Sequence, residues 1–144
     1  MGAIATGGVC VLQEDVIRTL DINPEQIEQV AATERRELAR REAVNRGGRP
    51  PLDVQERTII LIDDGLATGA TISAGVTALR AQHPAAIGVA IPVAAPSTCE
   101  AMRAIADACI CAREPEPLYT VGLWYRDFAP TTDSDRQRPL RAHR

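Results

Sequence analysis

The sequence predicts an α/β fold built on a parallel, doubly wound sheet, and three observations predict it. Residues 59–62 form an unbroken apolar run, Ile-Ile-Leu-Ile, of the kind found in strands covered on both faces. Beyond it, strand-like and helix-like periods alternate: a strand over 86–93, a helix over 97–106 and a strand over 108–112. Between the first strand and the next helix lies a loop of small residues, where open α/β sheets bind their ligands.

The elements follow in order. Residues 3–5 and 9–12 flank Thr6-Gly7-Gly8 and predict a short hairpin. Residues 15–20 predict a brief helical turn. Asn23 then caps a long helix, with Pro24 at its first position and Gln26 completing a capping box. Ile27, Val30, Ala31, Leu38 and Val44 give this helix a narrow apolar stripe. The pairs Glu37–Arg41 and Glu42–Arg46 have the i,i+4 spacing that supports it. Gly47-Gly48 ends it and Pro50-Pro51 prevents its resumption. The charged run over 34–46 reads as a solvated helix face, with a partner-binding surface as the sharper alternative.

Arg57 and Thr58 lead into the strand over 59–62, and Asp63 and Asp64 stand at its carboxyl end. Between Gly65 and Thr71 only Leu66 is large, so backbone N–H groups can approach an anion closely. Residues 71–82 predict a helix with Ile72, Val76 and Leu79 on one face. Its N-terminus brings roughly half a positive charge to that anion, and Thr68 and Thr71 can add hydroxyl donors. Two adjacent carboxylates repel a bare phosphate. They suit a phosphorylated sugar, whose vicinal hydroxyls donate to the acids. The helix over 97–106 takes Ser97 as its cap. The tail over 131–144 is polar, arginine-rich and flexible.

Composition narrows the classes. The 144 residues make a single domain, with a net charge of −3 that disfavours nucleic acid or an anionic membrane as partner. No apolar run is long enough to span a bilayer and no basic, apolar leader is found, so the expectation is a cytoplasmic protein. Lysine is absent, so the loop is no P-loop, and Gly65-Leu-Ala-Thr-Gly69 lacks the dinucleotide spacing. Cys10, Cys99, Cys109 and Cys111 show no C-x-x-C pattern, and His83 and His143 stand far from any partner pattern; the cysteines read as separate, small buried apolar groups in a reducing cytosol, without a zinc site.

Residues 59–71 resemble the phosphoribosyl-pyrophosphate (PRPP) signature of type I phosphoribosyltransferases. Gly47-Gly-Arg-Pro-Pro51, Ile91-Pro-Val-Ala-Ala-Pro96 and Val121-Gly-Leu-Trp-Tyr125 extend the resemblance to a bacterial branch of that family. It implies that Asp63 and Asp64 bind the ribose hydroxyls and, as the catalytic pair, lend negative charge to an oxocarbenium-like transition state. It also implies that Ala67, Thr68, Gly69, Ala70 and Thr71 wrap the 5′-phosphate. Magnesium would arrive with PRPP, with no metal ligated directly by protein residues. The acceptor stays unidentified, a nucleobase being one candidate, and a homodimer is a candidate assembly. All four aromatic residues lie over 119–128; Trp124 and Tyr125 are the candidates to stack on a base, the alternative being core or interface packing.

The family pattern also implies an upstream strand, helix and pyrophosphate loop. Residues 1–22 match only part of a hairpin and hood region, followed by the long helix over 23–48 and a core over 57–130. The expectation is therefore of an N-terminally truncated member, a misassigned start, or a short protein completed by a partner. Ala67 stands where hypoxanthine-guanine enzymes carry an acid, which argues against a 6-oxopurine, and the lack of lysine leaves orotate-type loop catalysis unsupported. The expected activity is phosphoribosyl transfer from PRPP with loss of pyrophosphate. A non-catalytic PRPP- or nucleotide-binding module, or an inactive fragment, is the rival.

Overall fold

The computed structural model describes residues 2–129. The expected flexible tail lies outside them. Strands β1 (Gly2–Ala5) and β2 (Val9–Leu12) pair antiparallel, as the double glycine of the turn requires. Helix α1 (Glu14–Thr19) is short. Helix α2 runs over Pro24–Arg46, and its capping box forms as the sequence predicts. The Gln26 amide donates to the Asn23 side chain at 2.8 Å, and the Gln26 side chain accepts from the Asn23 amide at 3.1 Å. Gly47 ends the helix in the left-handed region, at φ 54°.

Of the predicted α2 stripe only Ala31 is buried, and Val30 remains 53 % exposed. Glu37 pairs with Arg41 at 2.7 Å, but Glu42 accepts from the Thr6 hydroxyl of the hairpin, and Arg46 donates to the Pro50 carbonyl. The expected Glu42–Arg46 pair gives way to contacts that hold the hairpin and the following loop.

The main sheet holds β3 (Thr58–Ile62), β4 (Ala86–Val93) and β5 (Ala108–Arg113), all parallel, in the order β3-β4-β5. Helix α3 (Ala70–Arg80) connects β3 to β4, and α4 (Pro96–Ile105) connects β4 to β5. The core lies between these helices and one face of the sheet. Ile87, Val89 and Ile91 of β4 meet Ile72 and Val76 of α3 and Cys99 and Met102 of α4, with Leu61, Cys109 and Cys111 packed around them. At about 25 cal/mol per Å², such burial is the main source of stability.

Two further expectations fail in the sheet and its connections. The run 59–62 is covered on one face only: Ile60 and Ile62 are 64 % and 76 % exposed, and Ile110 on β5 is 68 % exposed. Alternation turns these residues away from α3 and α4, and no described element packs over them. Ser97 is not the cap of α4. The cap is Ala95, without a side-chain bond. Ala94 and Ala95 are tied by backbone bonds to Arg113 and Leu66, so the extended chain lasts through Ala95 and Pro96 starts the helix at its first position. No helix among the described residues is long and apolar enough to cross a membrane.

Candidate functional site

The site stands at the carboxyl end of β3. Parallel pairing carries the chain from Ile62 directly into Asp63 and Asp64. Asp63 is half-buried and Asp64 exposed. The Asp64 amide donates to Asp63 Oδ1 at 3.0 Å, which fixes one acid against the backbone of the next. No hydrogen bond or ion pair engages the Asp64 carboxylate among the described residues.

Leu66 then drops into the core, 2 % exposed, and its backbone bridges to Val93 and Ala95. This pins the start of the loop to the end of β4. Ala67 and Thr68 are exposed, and Gly69 caps α3 at φ 72°. A side chain at Gly69 has no room as well as the wrong φ: a Cβ there would lie 2.9 Å from Thr98 Cγ2 and 3.3 Å from Met102 Cε. The Ala70 amide points at Thr68 Oγ1 at 3.5 Å, and the Ser73 amide closes on the Gly69 carbonyl at 2.9 Å. The amides of Thr71 and Ile72 have no acceptor among the described residues, as befits the first turn of a helix. The loop is thus a small-residue turn with outward N–H groups at a helix N-terminus, the arrangement that receives an anion.

Two contacts that sequence reasoning missed brace this loop. The Thr98 hydroxyl donates to the Ala67 carbonyl at 3.0 Å, and Met102 packs beneath Gly69. The signal for them is topological, because parallel order sets the starts of α3 and α4 side by side. On the other flank, the 3₁₀ helix Val121–Trp124 lies over Gly65, where a Cβ would come within 2.5 Å of Val121 Cγ1. The Tyr125 hydroxyl donates to the Asp64 carbonyl at 2.6 Å, and its ring stacks on Phe128 with centroids 5.1 Å apart. The structure therefore brings Tyr125 to the acid pair. Trp124 is half exposed, without a described contact to the loop.

A separate cavity of about 670 Å³ lies between the hairpin and α2, lined by Ile4, Cys10, Ile27, Leu38 and Glu34 and reaching Thr71. It is the size of a small-molecule pocket and mostly apolar. Trp124 and Tyr125 do not line it.

Comparison with known proteins agrees with this architecture. The family described as "Phosphoribosyl transferase domain" matches residues 3–119. Two Mycobacterium tuberculosis proteins, from strains CDC 1551 and H37Rv and provisionally named phosphoribosyl transferases, are each 33 % identical over 144 residues, which is 99 % of this chain. The chain spans 32 % of the length of these relatives. The crystal structure of TT1426 from Thermus thermophilus superposes with a TM-score of 0.75 at 33 % identity, covering 96 % of this chain and 65 % of that one. The match over residues 3–119, together with the acid pair and small-residue loop at the end of β3, places this chain in the type I phosphoribosyltransferase family.

Proposed function

We propose that this chain binds PRPP and transfers its phosphoribosyl group to an acceptor, with release of pyrophosphate. The observation that carries this reading is the acid pair at the tip of β3 followed at once by a helix N-terminus capped by left-handed Gly69. Asp63 and Asp64 accept from the ribose 2′- and 3′-hydroxyls. The loop over 67–71 holds the 5′-phosphate by its amides and by the Thr68 and Thr71 hydroxyls. As the bond to pyrophosphate breaks, positive charge grows on the ribose ring, and the acids supply opposing charge already in place.

Asp63 and Asp64, the latter carboxylate without a protein partner among the described residues, would hold the ribose of a Mg²⁺–PRPP complex, whose ion would be ligated by PRPP oxygens and water rather than by the protein. When bound, magnesium neutralises charge on the diphosphate. The chain's own residues orient the ribose and phosphate. The acceptor is a small nitrogenous compound, bound beside the Tyr125 segment or in the cavity that reaches Thr71.

A thermal melt with and without Mg²⁺–PRPP tests binding. At a hundredfold excess over Kd the gain is about 2.7 kcal/mol. Asp64→Asn, at an exposed site, should retain the melt of the free chain and lose this gain; an undiminished gain overturns the assignment of the diol. Pyrophosphate release from PRPP with a panel of bases then tests transfer. Binding without release for every base makes the chain a PRPP-binding module and sinks the transfer reading.

A further inference from the structure

Away from the phosphate loop, three of the four cysteines meet. Cys109 and Cys111 are two apart on β5, so alternation points both at the same face of the sheet. Cys99, fully buried on α4, comes down onto that face. The expectation of separate, apolar thiols therefore fails for these three: Cys99 and Cys111 are joined in a disulfide, and Cys109 Sγ lies 3.9 Å from Cys111 Sγ. Cys10 stands apart and is exposed. The sequence hides the cluster because Cys109 and Cys111 lack C-x-x-C spacing and Cys99 lies on a different element, α4.

The three sulfur atoms all lie within 4.8 Å of one another, and no histidine, aspartate or glutamate completes the group among the described residues. Thiolates sharing one ion at about 2.3 Å stand about 3.7–4.0 Å apart. The Cys109–Cys111 spacing already meets this. Structural zinc takes four ligands in a tetrahedron, and three sulfurs alone suit a softer ion, such as Cu(I). Cys109 and Cys111 are half-buried on an edge strand of the described sheet, which gives an ion access from the surface.

We propose that Cys99, Cys109 and Cys111 form a three-thiolate site for one Cu(I) ion, open only in the reduced chain. The opening step is reduction of the Cys99–Cys111 bond by a dithiol. Two electrons and two protons pass to the two cysteines, and the dithiol leaves as its own disulfide. Cu(I) then replaces the protons on the three sulfurs. In the oxidised chain two of the sulfurs are spent in their mutual bond, so the site is closed.

The test uses the full chain carrying Cys10→Ser, reduced with a dithiol that is then removed without oxygen. Cu(I) is added against a coloured Cu(I) chelator. The expected result is uptake of one ion per chain with near-ultraviolet thiolate–copper absorption. Cys109→Ala and Cys111→Ser should each reduce uptake to background, as should leaving the chain oxidised. Absence of uptake by the reduced chain overturns the proposal, and so does full uptake by Cys109→Ala or by the oxidised chain. X-ray absorption of the loaded parent does not depend on the variants folding. Three sulfurs at about 2.3 Å support the site, and two sulfurs overturn it.

Discussion

The Tyr125 hydroxyl donates a 2.6 Å hydrogen bond to the backbone carbonyl of Asp64. This bond ties a segment 61 residues downstream to the acid pair and holds Val121 over Gly65. Tyr125→Phe keeps the ring stacked on Phe128 and removes only the bond, worth about 1 kcal/mol. PRPP binding measured by titration calorimetry should weaken about fivefold in this variant. Unchanged affinity would show that the segment does not position the acids.

Gly69→Ala should lower Tm and abolish the shift given by PRPP. The left-handed φ of 72° costs an L-residue about 1–2 kcal/mol, and the new Cβ would press on Thr98 and Met102. Gly69→Asn separates the two causes, because asparagine tolerates the φ but not the crowding. Both variants should fail alike in the melt with PRPP. A rescued asparagine variant would leave backbone strain as the sole cause.

The uncovered face of the sheet makes a prediction of its own. Ile60→Thr with Ile62→Thr should leave Tm within about 2 °C, since neither side chain is packed and threonine keeps strand propensity. Light scattering at high concentration should fall in the double variant, because exposed apolar patches promote association. A large loss of Tm would mean that this face is covered in solution by another copy of the chain.

On α2, hydrogen bonds from Arg40 and then Arg41 hold the Glu37 carboxyl down at about 2. A carboxyl lowered in the folded chain adds stability above its ordinary value of about 4.3 and loses it as the pH falls through the folded value. The parent should therefore melt above Glu37→Gln at pH 7, with the gap closing between about pH 4 and about pH 2. Salt should shrink the gap, because the group is only half-buried and its arginine partners are exposed. A gap that stays constant through this range, followed by circular dichroism, would overturn the ion-pair account.

The local geometry of the candidate site was legible in the residues because its parts are neighbours in sequence. A strand followed by Asp63-Asp64, a loop of small residues and a helix, read from Thr71 and observed from Ala70, are neighbours in sequence, and short-range sterics dictate their order. The Asn23 capping box was legible for the same reason. The Ser97 cap failed because a tertiary tie, the bridge from Leu66 to Ala94, holds the chain extended for longer than local propensity suggests. Thr98 beneath the loop and Tyr125 beside Asp64 were invisible, since each meets the site only through the order of strands and helices.

By itself the sequence determined the parallel α/β class, the position of the acid pair and of the small-residue loop that follows it, and the boundaries of the long helix, all set by periodicity and backbone sterics within a few residues. Tertiary structure decided which face of 59–62 is covered, which hydroxyls brace the loop and which cysteines meet. Those outcomes depend on packing between elements distant along the chain, and no local pattern encodes the distance between Cys99 and Cys111 or between Tyr125 and Asp64.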